Sequence, residues 1–364
     1  MSAGPRRVPA AALEAFTTAL FRSHGLPPED AATVARTLVL ADLRGVDSHG
    51  VLRTGVYLER LKRGLINPTP KVRVLREGPA AALLDGDNGM GPVVATAAMR
   101  RVLERARAAG VGAVAVRRGN HYGMAAAYAL MALEEDCIGL TLTNGPALVA
   151  PWGGTRRFFG TNPLAIAVPA GRERPVVLDM ATTVVARGKI IKAAKEGYPI
   201  PAGWALDAEG RPTTDAAAAL AGTPVPIGGY KGYGLMLVIE VLSAVLAGAA
   251  VGPAVGELYD NPRRPQEVGH LFAAARLEAF GDPGEFKGRM DALIREVREG
   301  PRAPGSERIY LPGEIEFERV RDRGPASPGG RPDRAGPLGG IDRARPGGGR
   351  VLPRSGLMQR TDRK

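Results

Sequence analysis

Cysteine is nearly absent from this sequence, which has one, Cys137, among 364 residues. A single cysteine excludes an intrachain disulfide framework and a cysteine-rich metal site. Its position in the apolar run CIGLTLTN favours a small buried side chain over a reactive thiol. The lack of disulfides fits a reducing compartment, so we expect a cytoplasmic protein.

Long uninterrupted apolar runs are also missing. Residues 1–21 begin with basic side chains, but Glu14 and a threonine pair interrupt any apolar core. We therefore expect an amphipathic helix there and no signal peptide. The longest apolar run, residues 235–252, contains Glu240, and an unpaired carboxylate in hydrocarbon is costly. This run predicts a buried helix, and we expect no membrane association.

Aromatic residues are scarce, and residues 324–364 contain none. This segment is rich in glycine, proline and arginine and carries half of the formal net charge of +12. It cannot bury enough apolar surface to offset its ordering entropy, so we predict a disordered tail. Without aromatic side chains to stack on bases, it predicts no specific nucleic-acid site. A non-enzymatic polyanion-binding protein that uses this basic tail stays open as an alternative function.

What the sequence does contain is an alternation of helical and strand patterns. Apolar residues spaced three and four apart predict helices over 9–24, 28–43, 47–65, 92–110, 124–136, 182–197, 233–252 and 284–300. Short apolar runs predict strands over 71–77, 81–86, 111–119, 137–144, 163–170, 174–180 and 270–280. Strands that alternate with helices indicate an α/β fold class, preceded here by a mainly helical N-terminal region.

The stretch DSHGVLR, residues 47–53, is the first candidate site. As the start of a helix capped by Asp47 or Ser48, it places His49 and Arg53 on one helix face. An imidazole can transfer a proton, and a guanidinium can bind a carboxylate through two parallel hydrogen bonds. Ser48 can fix the imidazole tautomer. The trio suits chemistry at the carbon next to a carboxylate, although an ordinary helix start with solvated polar residues is the simpler explanation.

The stretch RRGNHYGMAAAYA, residues 117–129, is the second candidate. A strand ends here, and Asn120, His121 and Gly123 lie in the turn before a helix. Ligands bind at strand ends in α/β sheets, and the free N–H groups of a helix start favour anions. A polar turn in which Asn120 satisfies its own backbone is an equal alternative.

Glycine-rich segments supply weaker candidates. The turn DGDNGMG, residues 85–91, lacks the G-x-G-x-x-G spacing of a dinucleotide-binding loop, so we interpret it as a plain turn. The segment PIGGYKGYG, residues 226–234, combines open backbone with Lys231. It is compatible with a pyrophosphate site, although a turn before a buried helix explains it as well.

The segment LDMATTVVARGKI, residues 178–190, places Asp179 at a strand end. Two threonines follow at the predicted helix start, with Arg187 and Lys189 beyond. Helix capping explains the aspartate and threonines. A phosphate site formed by the helix start and the basic pair is the sharper hypothesis.

The remaining histidines carry little functional signal. His24 follows a predicted helix end, where a capping or solvated role is expected. His270 opens a predicted strand and is expected to be structural. No pair of acidic residues and histidines has metal-ligand spacing, so we predict no metal.

Taken together, these segments resemble the malate/L-lactate dehydrogenase family of the non-Rossmann type. That family includes sulfolactate, ureidoglycolate and diketogulonate dehydrogenases and reductases of cyclic imino acids. The resemblance covers the chain from about residue 8 to about residue 320. It rests on motifs in family order: ADLRGVDSHGVLR, GNHYGMAAAYA, GTNPLAIAVP, LDMATTVVARGKI, GGYKGYGL, GHLFAAARLEAFGDPGEF and LPGE.

The resemblance implies a domain organisation and a reaction. Residues 1–70 form the helical region, 71–290 a mixed-sheet domain that binds NAD or NADP and substrate, and 291–323 a C-terminal helix and segment that pack back on the helical region. The expected reaction moves hydride between nicotinamide and a small 2-hydroxy or 2-keto acid such as malate or lactate, or a cyclic imino acid. A homodimer with the cofactor near the subunit interface is also implied.

The resemblance also implies residue roles. His49 is the expected acid/base, with Ser48 in relay and Asp179 in support, although His121 competes for that role or contacts the cofactor. Arg53 is expected to bind the substrate carboxylate, with Thr161 near the substrate. The residues expected to contact the cofactor are His121, Tyr122, Gly123, Met124, Ala125, Leu178, Met180, Lys231, Gly232, Pro312, Gly313 and Glu314.

Two features depart from the family pattern. Thr183 stands where relatives usually have serine, a change that keeps the hydroxyl. Relatives usually end in an apolar helical segment, whereas this chain continues into the Gly/Pro/Arg-rich residues 324–364. If the usual helix packs on the N-terminal helical region, its loss would expose apolar surface and weaken folding and dimerisation.

Overall fold

Residues 8–259 and 263–324 are described by the structure, a computed structural model. The predicted tail, residues 324–364, lies outside the described residues apart from Gly324. Within those two described ranges, no helix is both long and apolar enough to cross a membrane.

Ten α-helices form in the described residues, joined by shorter 3₁₀ turns. They are α1 (Ala10–Arg22), α2 (Pro28–Leu43), α3 (Thr54–Lys62), α4 (Gly91–Ala109), α5 (Ala126–Ala129), α6 (Arg187–Glu196), α7 (Ala216–Ala221), α8 (Tyr230–Glu240), α9 (Pro283–Glu299) and α10 (Glu314–Arg323). Proline in the first turn of α2, α4 and α9 suits a position where the backbone N–H has no helical partner.

Ten strands form as well. They are β1 (Arg73–Glu77), β2 (Ala81–Asp85), β3 (Val111–Gly119), β4 (Cys137–Thr143), β5 (Leu164–Val168), β6 (Val176–Met180), β7 (Ala205–Leu206), β8 (Pro212–Thr213), β9 (Thr223–Pro224) and β10 (Val268–Arg276). Seven of them build a mixed sheet in the order β1-β2-β3-β10-β4-β5-β6, and the other three form a small antiparallel sheet.

The direction of the strands positions the candidate residues. β2 and β3 are parallel, whereas β10 is antiparallel to both β3 and β4, and β5 is antiparallel to both β4 and β6. The carboxyl ends of β2, β3, β4 and β6 therefore meet at one edge of the sheet. The loops after β3 and β6, which contain the second and third candidate motifs, leave the sheet at this edge.

Both faces of the sheet are covered by helices. On one face, α4 and α5 pack on buried side chains of β2, β3, β6 and β10 in the largest core cluster, which also includes Leu40 and Ala41 of α2. On the other face, α8 packs through Ile239 on Leu142 and Leu164. The mixed α/β fold class is confirmed, and the N-terminal region is helical.

The C-terminal helix α10 returns to the N-terminal region. The Arg44 guanidinium, at the end of α2, lies over the Phe317 ring, 4.8 Å from its centroid. The Arg323 guanidinium donates to the Asp42 carbonyl and lies 2.5 Å from an Asp47 carboxylate oxygen. α10 is thereby joined to the segment that contains the first candidate motif.

Several element boundaries differ from the sequence prediction. The helix predicted over 182–197 begins only at Arg187, because Thr183 forms a β-bridge with Pro226. The helix predicted over 233–252 begins at Tyr230 and becomes a π-helix over Val241–Val245. The segment 124–136 is a short α-helix followed by a 3₁₀ helix. The strand predicted over 270–280 begins at Val268 and ends at Arg276.

Candidate functional site

The DSHGVLR segment is not the start of a helix. It forms two 3₁₀ turns, Asp47–His49 and Val51–Arg53, and α3 follows without a side-chain cap. Gly50 separates the turns with extended backbone, and a Cβ there would lie 1.8 Å from an Asp42 carboxylate oxygen. That carboxylate instead accepts the Val51 N–H at 2.9 Å. The prediction of one helix capped by Asp47 or Ser48 is therefore wrong.

The two candidate histidines come together nevertheless. The imidazole rings of His49 and His121 are stacked, with centroids 5.6 Å apart and planes 20° apart. The exposed Ser48 hydroxyl lies 2.9 Å from His49 Nδ1. The His121 backbone N–H donates to the Gln266 side chain at 3.0 Å, which holds the loop after β3 beside β10. Two segments distant in the chain thus supply two neighbouring proton carriers.

Arg53 lies close enough to act electrostatically on both rings. Its guanidinium stands over the Tyr259 ring, 4.9 Å from the centroid. Its Nε atom is buried without a hydrogen-bond partner, and no residue in the described ranges forms an ion pair with it. Such a guanidinium keeps donors in the fork geometry that matches a carboxylate.

Burial and positive charge keep both imidazoles neutral. Burial lowers the pKa of His49 to about 4, with a further contribution from the Arg53 charge. Burial also holds the pKa of His121 well below its usual range, and His49, Arg53 and His270 add to that effect. At neutral pH each ring therefore has one proton and one lone pair.

Tyr57 is a member of this site that the sequence did not reveal. Its hydroxyl lies 2.7 Å from His121 Nδ1, and the side chain is 1% exposed. Burial raises the pKa of Tyr57, so the hydroxyl keeps its proton. Tyr57 follows Arg53 by four residues, and this helical spacing was the available signal. Only the fold shows that His121 is its partner.

Asp179 lies at the same edge of the sheet but has different partners. Its carboxylate accepts the Ala126 N–H at 2.8 Å, at the start of α5. Solvent reaches the side chain, yet surrounding protein raises the pKa of Asp179 to about 6, opposed by the Ala126 N–H and by the positive charge of Arg44. In the described part of the chain, no hydrogen bond joins Asp179 to His49.

Thr161 and Lys231 belong to a second group beside the end of β6. The Thr161 carbonyl accepts the N–H of Thr182 at 2.9 Å and its hydroxyl at 2.7 Å. The Thr182 carbonyl accepts the Ile227 N–H at 2.9 Å, which brings in the loop before α8. Both threonine hydroxyls after β6 donate to carbonyl oxygens, and α6 begins only at Arg187 without a side-chain cap, so the expectation that the aspartate and threonines cap this helix is wrong.

The cofactor candidates of β6 point in two directions. Leu178 and Met180 pack in the cluster beneath α8, whereas Asp179 faces α5 on the opposite side. At the start of α8, Lys231 is exposed and Gly232 is buried. A Cβ at Gly232 would lie 1.8 Å from the Ile227 carbonyl oxygen, so this close approach requires glycine.

The LPGE segment lies along β6. The Pro312 carbonyl accepts the Val177 N–H at 3.0 Å, and Gly313 beside it has a φ of 90°. The Glu314 carboxylate is already paired within the protein: it lies 2.7 Å from the Arg298 guanidinium and accepts the Leu311 N–H at 3.1 Å. Cofactor contact from this segment would therefore come from its backbone.

Three members of the motif after β3 belong to the core. Tyr122, Met124 and Ala125 are each at most 3% exposed. The Tyr122 ring stacks on His270 with centroids 4.8 Å apart, and His270 Nδ1 lies 2.8 Å from the Thr143 hydroxyl. The expectation that His270 is structural is confirmed. Tyr122, Met124 and Ala125 are enclosed by protein, so their side chains are not open to a ligand.

A cavity of about 220 Å³ lies elsewhere, between α1, α2 and α5. Its lining is mainly apolar and includes Glu14, Arg36 and Tyr128 but none of the candidate site residues. In the part of the chain that the structure describes, no cluster of three histidine, cysteine or acidic side chains could hold a metal ion.

The chain is similar in sequence to known dehydrogenases over most of its length. A family model described as malate/L-lactate dehydrogenase matches residues 8–325. A malate dehydrogenase from Pyrococcus abyssi is 42% identical over 325 residues, covering 87% of this chain and 89% of the relative. An L-sulfolactate dehydrogenase from Methanocaldococcus jannaschii is 45% identical over 297 residues, covering 82% and 85%.

The fold is shared with a solved relative. The structure of the sulfolactate dehydrogenase from Methanocaldococcus jannaschii superposes with a TM-score of 0.83 at 42% identity, covering 87% of this chain and 91% of that one. The names of two relatives with lower sequence identity state which cofactor each uses. They are ureidoglycolate dehydrogenase (NAD(+)) from Escherichia coli K12, 38% identical over 80% of this chain and 82% of its own length, and (2R)-3-sulfolactate dehydrogenase (NADP(+)) from Chromohalobacter salexigens, 36% identical over 82% and 89%.

Proposed function

Because the chain belongs to the malate/L-lactate dehydrogenase family, we propose that it is an NAD(P)-dependent oxidoreductase of small 2-hydroxy and 2-keto acids. Malate, lactate and sulfolactate type acids are the first substrates to consider, since relatives are named for malate and sulfolactate. Each combines a carboxylate with a neighbouring oxygen-bearing carbon.

An arginine with no acidic partner among the described residues lies beside two neutral imidazoles, and this arrangement supports the proposal most directly. Arg53 binds the substrate carboxylate and fixes its orientation. The carbon next to the carboxylate is thereby placed near the histidines, where its oxygen exchanges a proton. A bound anion also compensates the burial cost of the guanidinium, whose pKa is lowered by burial in the absence of ligand.

His49 is the proton acceptor in oxidation of the hydroxy acid. Its neutral ring accepts the substrate hydroxyl proton as the C–O bond becomes a carbonyl, and the Ser48 hydroxyl contacts Nδ1 and can donate or accept there. In reduction, His49 returns the proton to the carbonyl oxygen. The low pKa of His49 in the free protein favours the base, so oxidation needs no prior deprotonation.

Bound NAD or NADP supplies the hydride acceptor or donor. The residues at the strand ends fit such a group: solvent reaches the Asp179 carboxylate, which suits ribose hydroxyls, and the exposed Lys231 suits a phosphate. Gly123 has a φ of 80°, and a Cβ there would meet only the His49 carbonyl and Thr37 at 3.8 Å. Gly123 is buried, so its part in the proposal is to pack closely against the residue that carries the His49 imidazole. The same proposal places Thr161 near the substrate. It also expects cofactor contacts from Leu178, Met180 and the backbone of residues 312–314.

The test is a panel of 2-hydroxy acids, 2-keto acids and cyclic imino acids, followed by NAD(P)H absorbance with both cofactors. The proposal expects turnover with at least one acid of the malate, lactate or sulfolactate type and none with the matching compounds that lack the carboxylate. Turnover of cyclic imino acids alone would transfer the assignment to that substrate class. No turnover with any panel member would contradict it.

We also propose a cytoplasmic homodimer. α8 and the π-helix after it expose a row of apolar side chains: Leu235, Leu237, Val238, Val241, Val245 and Leu246. A contiguous apolar surface of this kind typically marks an interface. Since Lys231 lies in the first turn of the same helix, a second copy on this surface would lie close to the cofactor site. The single buried cysteine supports a reducing compartment.

A further inference from the structure

The hydrogen bonds around His121 determine which ring nitrogen carries its proton. Two groups contact Nδ1: the Tyr57 hydroxyl at 2.7 Å, which also lies 3.5 Å from the His121 carbonyl oxygen, and the Gly123 backbone N–H, which donates at 3.4 Å. A backbone N–H only donates, so Nδ1 must present its lone pair. The hydroxyl of Tyr57 then donates as well. The single proton of the neutral ring consequently resides on Nε2.

The backbone after His121 is built for this contact. Gly123 has a φ of 80°, a left-handed conformation that turns its N–H back toward the side chain two residues earlier. Tyr57 reaches the same atom from α3 and is fixed there by burial, at 1% exposure. By contrast, Ser48 beside His49 is exposed and can either donate or accept, so it leaves the His49 tautomer free to change.

We propose that Tyr57 is a positioning residue that, together with the Gly123 N–H, holds His121 as a neutral Nε2–H donor, so that the two histidines have different tasks. In this state His121 has no free lone pair and cannot accept the substrate proton. It donates a hydrogen bond to the oxygen of the reacting carbon, while His49 exchanges the proton. This division rests on the proposed function, whereas the tautomer itself does not.

The charged and titratable neighbours of His121 agree with a neutral donor. His49 and Arg53 face it from the 3₁₀ turns, Tyr57 from α3 and His270 from β10. None of these four residues carries a carboxylate, whose negative charge would stabilise a protonated His121. A neutral imidazole that donates from Nε2 polarises a carbonyl without carrying a positive charge.

The direct test is ¹⁵N NMR of the full chain labelled on histidine, in which four histidines give a small set of signals. His121→Gln identifies the His121 signal. The wild type is expected to show the Nε2–H tautomer at His121. Tyr57→Phe keeps the ring and removes one donor to Nδ1, so the Nε2–H preference weakens and the pKa of His121 rises. Tyr128→Phe is the matched control, because that buried hydroxyl donates to the Tyr122 carbonyl and not to His121.

Turnover adds a second readout. We expect kcat to fall about tenfold or more in Tyr57→Phe, since a preorganised hydrogen-bond donor to the reacting oxygen contributes roughly 10²–10³-fold and Tyr57 helps to hold that donor in place. NAD(P)H affinity should stay unchanged. His121→Gln should keep part of the turnover, because its amide still donates, whereas His49→Gln should lose at least a hundredfold.

Several results would overturn the proposal: an Nδ1–H tautomer in the wild type, or an unchanged tautomer, pKa and turnover in Tyr57→Phe. If Tyr57→Phe does not fold, the wild-type tautomer decides alone. If the wild type shows the Nε2–H tautomer but no acid is turned over, the positioning by Tyr57 stands and the proposed function fails. If the wild type turns over an acid but shows the Nδ1–H tautomer, the proposed function stands and the positioning by Tyr57 fails.

Discussion

The guanidinium of Arg323 lies 2.5 Å from an Asp47 carboxylate oxygen, and it also donates to the Asp42 carbonyl. The end of the last described helix is thereby joined to the two 3₁₀ turns that place His49 and Arg53. In these turns the Val51 N–H is held by the Asp42 carboxylate, whereas Ser48 is exposed and Gly50 interrupts the helical backbone. The C-terminal helix therefore helps to define the candidate site.

Arg323→Ala is expected to loosen these turns more than it destabilises the fold. An exposed ion pair contributes about 0–1 kcal/mol to the free energy of unfolding, so thermal unfolding should change little. The KM for the acid substrate should rise several-fold, because Arg53 loses its fixed position. Arg321→Ala is the control, since Arg321 forms its ion pair with its neighbour Asp322. Equal KM values for the two variants would contradict the role of Arg323.

Arg53→Lys is expected to weaken binding of the acid. Lysine keeps the charge but loses the two-donor fork, so steady-state kinetics should show a KM at least tenfold higher, with NAD(P)H affinity by fluorescence unaltered. Arg63→Lys, directly after the end of α3 and paired with Glu59, provides the matched control and should behave as wild type. An Arg53→Lys enzyme with wild-type KM would reject the carboxylate contact.

Stability should fall with acid because buried histidines stay neutral. The pKa of His270 is lowered by burial to about 3, so an unfolded chain takes up this proton near pH 6.5 while the folded chain does not. The stabilising difference is complete above pH 6.5 and is lost progressively as the pH falls toward 3. One such group changes the free energy of unfolding by about 1.4 kcal/mol per pH unit.

His270→Leu tests this contribution. Denaturant unfolding between pH 6.5 and 4 should show a shallower loss of stability in the variant, by about 1.4 kcal/mol per pH unit relative to wild type. His24→Leu is the control, because His24 lies at the end of α1, where its ring contacts the Leu20 carbonyl. Parallel curves for wild type and His270→Leu would show that His270 does not titrate as described.

Charge on the exposed face of α8 should disrupt a homodimer. Val238 is 52% exposed and lies within the apolar row, so Val238→Glu should convert a dimer to a monomer in light scattering. Leu293→Glu, on α9 with 51% exposure, places the same charge on another helix and should leave the assembly intact. A dimer that survives Val238→Glu but not Leu293→Glu would place the interface elsewhere.

Short-range patterns predicted most of the fold. Apolar runs identified the strands from β1 to β6, although β1 is mostly exposed and β6 is fully buried only at Val177. They could not show that β10 lies between β3 and β4, since this pairing joins segments far apart in the chain. The three strands of the small sheet have two residues each, too few for a pattern.

The candidate site was predicted in part and for a partly wrong reason. His49 and Arg53 were selected for a shared helix face, yet the close approach of Asp42 to Gly50 breaks that helix. The two residues are neighbours because consecutive 3₁₀ turns bring them together. Tyr57 was missed because its function depends on His121, and only the packing of α3 against the loop after β3 makes that contact.

The most direct measurement of the central claim is the turnover of His49→Ala with the best acid of the panel, alongside its NAD(P)H affinity by fluorescence. The account predicts a loss of at least a hundredfold in kcat, since a positioned base contributes roughly 10²–10⁴-fold, with cofactor affinity retained. Wild-type kcat in His49→Ala would contradict it.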